Sequence, residues 1–327
     1  MIGPINLRTK RSALLLVRTP LQAWIAEQVL RAEAVTNYDF VYFTHNDSGE
    51  DRYYFNRLSA NADHAQYCYA PTRRFDILGH LDFYWQTRKW HYDLGHEITL
   101  MGSIDSHLIN SISRQQVTSE LITFDDGLAN ILPSDRYCKD NTSWRSRIYR
   151  KFLGASDLAS TRDRIAHHYT LYEKFDNIVE SGRLKALSGW NFNGQSRRIE
   201  KDVGTLQPIK TYFIGQPFEE AMSAEHVNIF ENYVKTLGID VYVRHPRERQ
   251  PLDIGVPFLE KLGEIAENAI LRDAKNCEIH IFGWFSTVLF NLNFMASQRT
   301  MILMHADPVS SQMAKMARKV GCEVILL

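Results

Sequence analysis

Ser12-Ala13-Leu14-Leu15-Leu16-Val17-Arg18-Thr19-Pro20-Leu21-Gln22-Ala23-Trp24-Ile25 is the stretch that decides the fold. The unbroken apolar run up to Val17 reads as a strand buried on both faces, the pattern of a parallel sheet. Thr19-Pro20 then turns the chain into a helix, because proline suits a first helical turn, where its missing N–H would have had no partner. Leu21, Trp24, Ile25, Val29 and Leu30 recur at helical spacing, which predicts a helix over 21–34.

The same rhythm continues on both sides of a break. Strands are expected at 39–44, 97–101 and 120–124, with a helix at 52–60, so the first part of the chain consists of βαβ units. The stretch 144–185 is rich in Arg, His and Tyr, reads as helical and offers no strand candidate. Glycines, asparagines and a proline across 188–208 read as a linker. Strands then return at 210–214, 240–243, 278–282, 300–304 and 322–327, separated by helices expected at 219–237, 257–268, 286–295 and 310–320. The expected organisation is an α/β domain over 1–143, a helical insert over 144–187, the linker 188–208 and a second α/β domain over 209–327.

Composition removes several function classes. The 327 residues carry 38 basic and 38 acidic side chains, and 44% are hydrophobic, so the chain is globular and large enough for two cores. A zero net charge argues against nucleic acid as a partner, since duplex binding rests on a basic face. Cys68, Cys138, Cys277 and Cys322 have neither C-x-x-C nor metal-ligand spacing and read as free thiols of a reducing compartment. No apolar run approaches the ~20 residues of a membrane span. A cytoplasmic location is expected. Arg8, Lys10, Arg11 and Arg18 offer a peripheral contact with the anionic inner membrane, although a solvated N-terminus is the preferred explanation for them.

Four short motifs fall where strands end, which is where open α/β sheets bind ligands. Phe124-Asp125-Asp126-Gly127 supplies two carboxylates, suited to proton transfer, but Asp-Gly is also a common turn. Arg244-His245-Pro246-Arg247 places an imidazole and two guanidiniums around one proline, a local site for an anion such as phosphate. Gly283-Trp284-Phe285-Ser286-Thr287 precedes a helix that Ser286 or Thr287 would cap, with free N–H groups turned toward an anion. Gly215-Gln216-Pro217-Phe218-Glu219-Glu220 puts a glycine where a ligand can approach the backbone and two glutamates in a first helical turn, where the helix dipole favours carboxylates in any case. There is no Walker loop, no G-x-G-x-x-G after a strand, no H-E-x-x-H and no G-x-S-x-G. His167-His168 and the pair His91 and His96 lack a third metal ligand. Asp105-Ser106-His107 is contiguous, unlike a triad assembled in space.

In order and spacing these motifs resemble the bacterial sialyltransferases, and among them glycosyltransferase family 52, typified by lipooligosaccharide α-2,3-sialyltransferases. The resemblance extends over most of the chain. It includes Thr19-Pro20-Leu21-Gln22, Tyr53-Tyr54-Phe55-Asn56, Asp125-Asp126-Gly127 with Asn130, Thr161-Arg162, His168-Tyr169-Thr170, Gly215-Gln216-Pro217, His245-Pro246-Arg247 and Phe285-Ser286. It implies a GT-B arrangement of two Rossmann-like halves and an inverting transfer from a nucleotide sugar, usually CMP-sialic acid, to a galactose-terminated glycan. No metal and no cofactor are implied.

Donor contacts would come from Gly215, Gln216, His245, Arg247, Ser286 and Thr287. The family's base, an aspartate directly after Gly-x-Pro, corresponds here to Phe218. Glu219 is next in line and Asp125 is its competitor, with Asp126 bracing the loop. The resemblance also implies a homodimer that exchanges helical segments of the 144–185 region. Apolar Trp144, Ile148, Phe152, Leu153, Leu158, Tyr169, Leu171 and Phe175 exceed what one helical face of a small insert buries. A UDP-hexose transferase of the same family and a catalytically silent nucleotide-binding protein are the alternatives.

Overall fold

A computed structural model of the chain describes residues 11–69, 85, 95–132, 137, 144–191, 207–304 and 307–327, the side chain of Arg145 excepted. Arg8, Lys10, His91, Cys138 and residues 192–206 of the expected linker lie outside the described residues. The chain divides into two compact units, Met1–Leu187 and Ser188–Leu327.

The first unit contains β1 (Arg11–Val17), α1 (Pro20–Ala32), β2 (Val35–Thr44), α2 (Gly49–Ser59), β3 (His64–Tyr69), β4 (Ile98–Met101), α3 (His107–Gln115), β5 (Glu120–Phe124), α4 (Trp144–Leu153), α5 (Leu158–Arg164), β6 (Ile165–Thr170) and β7 (Leu184–Ala186). Its strands form one sheet in the order β3-β2-β1-β4-β5-β6-β7, and every pairing is parallel. β1 lies in the interior of the sheet, between β2 and β4, and the side chains from Ala13 to Val17 are fully buried, as the opening run requires. Thr19 caps α1 by accepting the Gln22 N–H at 3.2 Å, and Pro20 takes the first helical position.

The segment expected to be only helical is not. Residues 144–187 hold two helices but also β6 and β7, which extend the first sheet, so the segment is part of that unit's own fold. Ile165-Ala166-His167-His168-Tyr169-Thr170 escapes pattern reading because two histidines interrupt the apolar signal. Burial of His168 is made possible by hydrogen bonds rather than by hydrophobicity. β3 was likewise not foreseen. It is an edge strand in which only Cys68 is buried.

The second unit contains β8 (Ile209–Ile214), α6 (Ala224–Val234), β9 (Val241–Val243), α7 (Ala266–Asp273), β10 (Glu278–Gly283), α8 (Val288–Asn291), β11 (Gln298–Leu303), α9 (Pro308–Lys319) and β12 (Glu323–Leu326). The sheet order is β12-β11-β10-β8-β9, again all parallel. A core of Phe213, Phe218, Phe230 and Tyr242 packs on it.

Three expected helices are shorter or displaced. Residues 218–220 form a single 3₁₀ turn, and α6 starts only after Ser223, whose hydroxyl caps the His226 N–H. Residues 257–259 run extended beside β9, joined to both sides of Tyr242, before positive φ angles at Leu262 and Gly263 stop any helix there. α8 keeps four residues of the ten expected. Among the described residues no helix is long and apolar enough to cross a membrane.

Candidate functional site

In the second unit β9 and β10 lie on opposite sides of β8, so the strand order reverses there. A crevice opens at such a point beyond the carboxyl ends of the strands. The three motifs after β8, β9 and β10 therefore emerge side by side along one edge of the sheet.

The His-Pro turn is held from below. The backbone N–H of His245 donates to Glu248 Oε2 at 3.3 Å, and the Glu248 N–H donates back to the His245 carbonyl at 3.0 Å. Arg247 N–H donates to His245 Nδ1 at 3.1 Å, so in the neutral ring the proton sits on Nε2. Burial, with Arg247 and Lys261 adding to it, pushes the imidazole down to about 4. In the free protein His245 is thus a neutral N–H donor among cations. Lys261 was not foreseen. It reaches the turn because the extended segment after Pro257 returns along β9, and its Nζ donates to the Arg244 carbonyl at 2.9 Å. Arg244 lies over the Phe258 ring, and Arg247 is exposed, 3.5 Å from Glu220.

The loop after β8 departs from expectation in two ways. A Cβ on Gly215 would come within 2.6 Å of Glu248 Oε2 and of Tyr242 Cε1, so this glycine makes room for a buried carboxylate rather than for a ligand. Phe218 is 1% exposed and packs against Phe213, Phe230 and Trp284, so it belongs to the core. Glu219 is exposed and accepts the Arg249 N–H at 3.2 Å; the α-helix N-terminus expected beneath it is a single 3₁₀ turn. Gln216 is half-buried, and its carbonyl accepts the Phe218 N–H. After β10, buried Ser286 accepts the Val288 N–H at 3.3 Å, while Thr287 makes no side-chain cap. A four-residue helix has little dipole, which removes much of the anion site expected from it.

In the first unit the two carboxylates of Asp-Asp-Gly separate sharply. Asp125 is 0% exposed. It accepts from Leu171 N–H at 2.6 Å, Thr170 Oγ1 at 2.9 Å and His168 Nε2 at 3.0 Å, while the other His168 nitrogen meets Thr123 Oγ1 at 2.8 Å. That carboxylate joins β5 to β6 and has no face toward an acceptor, which corrects its candidacy as base. Asp126 is half-buried at the strand end. Its Oδ2 accepts Tyr137 OH at 2.6 Å and Ser103 Oγ at 3.4 Å, and its N–H donates to Asn130 Oδ1 at 2.6 Å. Gln22 Nε2 donates to the same Ser103 hydroxyl at 2.7 Å, which links the first turn of α1 to the loops after β4 and β5. Gly127 takes φ +62°, so the turn reading of Asp-Gly holds as well. Among the described residues no group of three His, Cys, Asp or Glu is placed to hold a metal.

Comparison with known proteins places these sites in context. The family model described as Glycosyltransferase family 52 matches residues 35–305. An N-acetyllactosaminide alpha-2,3-sialyltransferase of Haemophilus influenzae is 27% identical over 199 residues, 61% of this chain and 61% of that one. The Neisseria meningitidis protein of the same name is 24% identical over 286 residues, 82% of this chain and 72% of that one. A CMP-N-acetylneuraminate:beta-galactoside alpha-2,3-sialyltransferase of Pasteurella multocida is 25% identical, over 59% of this chain and 56% of that one. The match thus spans about three fifths of the Haemophilus relative's length. Among solved structures, the glycotransferase of kitacinnamycin superposes with a TM-score of 0.50 at 11% identity, over 97% of this chain and 86% of that one, which is a likeness of fold.

Proposed function

The chain belongs to glycosyltransferase family 52, and on that premise we propose that it transfers sialic acid from CMP-sialic acid to a galactose-terminated glycan such as lipooligosaccharide, with inversion and without a metal. The observation that carries this reading is the neutral His245 Nε2–H set among Arg244, Arg247 and Lys261 at the strand ends. Departure of CMP leaves negative charge on a phosphate. Preorganised donors and cations stabilise that charge more in the transition state than in the ground state, which is the condition for catalysis. A phosphate bound at this position favours the imidazolium, formed when Nδ1 takes up a proton and gives up the Arg247 N–H bond, and in that form His245 can pass its Nε2 proton to the leaving oxygen. A single displacement by the acceptor hydroxyl from the opposite face of the sugar inverts the anomeric carbon, and it needs a carboxylate to take the hydroxyl proton.

The burial of Phe218 at the position of the family's aspartate favours a second reading, a UDP-hexose donor or a nucleotide-binding protein without turnover. Thermal unfolding with CMP, UDP and GDP side by side separates them, because a ligand that binds the folded state raises its apparent stability. The expected result is stabilisation by CMP alone. Turnover of CMP-sialic acid should need a galactose-terminated acceptor and survive EDTA. A preference for UDP, or strict dependence on manganese or magnesium, overturns the proposal.

A homodimer belongs to the same proposal, on fewer apolar residues than the sequence analysis counts. Leu153, Leu158, Tyr169 and Phe175 are buried within their own unit, whereas Trp144, Ile148 and Phe152 on α4 are 66%, 60% and 54% exposed and fall at i, i+4 and i+8. That apolar stripe is the face a second protomer would cover. Sedimentation at micromolar concentration should give a dimer that Ile148→Glu dissociates, and a wild-type monomer refutes it.

A further inference from the structure

We propose that Glu248 is a positioning residue for the donor site, a buried clamp that fixes His245 against the loop after β8. This rests on the reading of His245 as the donor-phosphate contact.

Glu248 is 4% exposed, and each of its carboxylate oxygens has a partner: Oε1 accepts the Tyr242 hydroxyl and Oε2 the His245 N–H. The return bond from the Glu248 N–H to the His245 carbonyl closes the turn at both ends, so the His245 backbone cannot shift without breaking one bond or the other, and the Arg247 N–H at Nδ1 orients the ring on it. The same carboxylate lies against Gly215, where not even a methyl group fits. Gly215 in turn donates its N–H to Val243, the last residue of β9. The Tyr242 hydroxyl also accepts the Leu252 N–H at 3.3 Å, which ties in the chain beyond the turn.

A carboxylate is an unfavourable group to bury directly beneath a site for an anion, and a plain core would hold an apolar side chain there. What Glu248 supplies is two acceptors at fixed positions, which an apolar residue lacks. Alanine leaves the His245 N–H and the Tyr242 hydroxyl without acceptors and frees the turn. Aspartate is one methylene too short to reach both. Glutamine keeps the shape, with Oε1 accepting from His245 and Nε2 donating to the tyrosine oxygen.

The test compares full-length wild type with Glu248→Ala, Glu248→Gln, Glu248→Asp and His245→Ala, reading CMP affinity by calorimetry, donor KM and kcat, and the ligand-free melting temperature. The expected result is a CMP Kd and a donor KM raised roughly tenfold or more in Glu248→Ala and Glu248→Asp, as for loss of a buried hydrogen bond. Glu248→Gln should return to within about threefold of wild type. Gly215→Ala should reproduce the alanine phenotype, and its combination with Glu248→Ala should be less than additive, because both act on one contact.

If Glu248→Ala and Glu248→Asp melt earlier but bind CMP as wild type does, while His245→Ala binds it weakly, Glu248 is a packing residue and the proposal falls alone. If His245→Ala also binds CMP normally, the donor-site reading falls and takes the proposal with it. Should Glu248→Ala fail to fold, Glu248→Asp decides by the same criterion.

Discussion

His245→Ala is expected to lower kcat/KM for the donor by roughly 10²–10⁴-fold, the range for loss of a general acid that also binds the reacting group. The residue is fixed on both sides, by Glu248 at its backbone and by the Arg247 N–H at Nδ1, so its Nε2–H has one direction. Its titration gives a second signature. The folded ring titrates at about 4, below the ordinary 6.5, so as pH falls the unfolded chain takes up the proton first. The stability contributed by the neutral ring is complete above about pH 6.5 and is lost progressively as the pH falls toward 4.

A bound phosphate reverses that preference, since an adjacent anion favours imidazolium. CMP binding between these limits should therefore take up protons, seen as a binding enthalpy that depends on the ionisation heat of the buffer. The uptake beyond that of the nucleotide's own phosphate should vanish in His245→Ala. Equal CMP binding and equal proton uptake in mutant and wild type would remove His245 from the site.

The second large effect concerns the base. Glu219→Gln is expected to lower kcat by roughly 10²–10⁴-fold with CMP binding intact. Glu219 is exposed, its carboxylate is oriented by the Arg249 N–H, and it stands on the loop after β8 beside the His-Pro turn. Orientation without burial is what an acceptor hydroxyl needs in order to reach it. The rival is Asp126, held by Tyr137 and Ser103 at the end of β5. If Glu219→Gln turns over normally and Asp126→Asn is inactive but still binds CMP, the base belongs to the Asp-Asp-Gly loop. Asp125→Ala separates the roles further. It orphans three buried donors and should cost about 3–5 kcal/mol in urea unfolding, a failure of folding rather than of chemistry.

The apolar run before Arg18 and the helical spacing after Pro20 were enough to determine a parallel α/β fold, because strand and helix periodicities are local properties of the chain. The same local reading placed Asp-Asp-Gly, Gly-Gln-Pro, His-Pro-Arg and Phe-Ser at strand ends, and the strands do end there. Tertiary structure alone decided which members of those motifs are available. Asp125 and Asp126 are neighbours of one residue type, yet the first is consumed by β6, a strand whose apolar pattern two histidines interrupt and which is paired between β5 and β7. Phe218 follows Gly-Gln-Pro in sequence but is held in the core by Phe213 and Phe230. Glu248 and Lys261 carry no motif of their own. They matter through a glycine 33 positions earlier and an extended segment that runs parallel to β9, contacts set by packing between segments far apart in sequence, which no periodicity encodes.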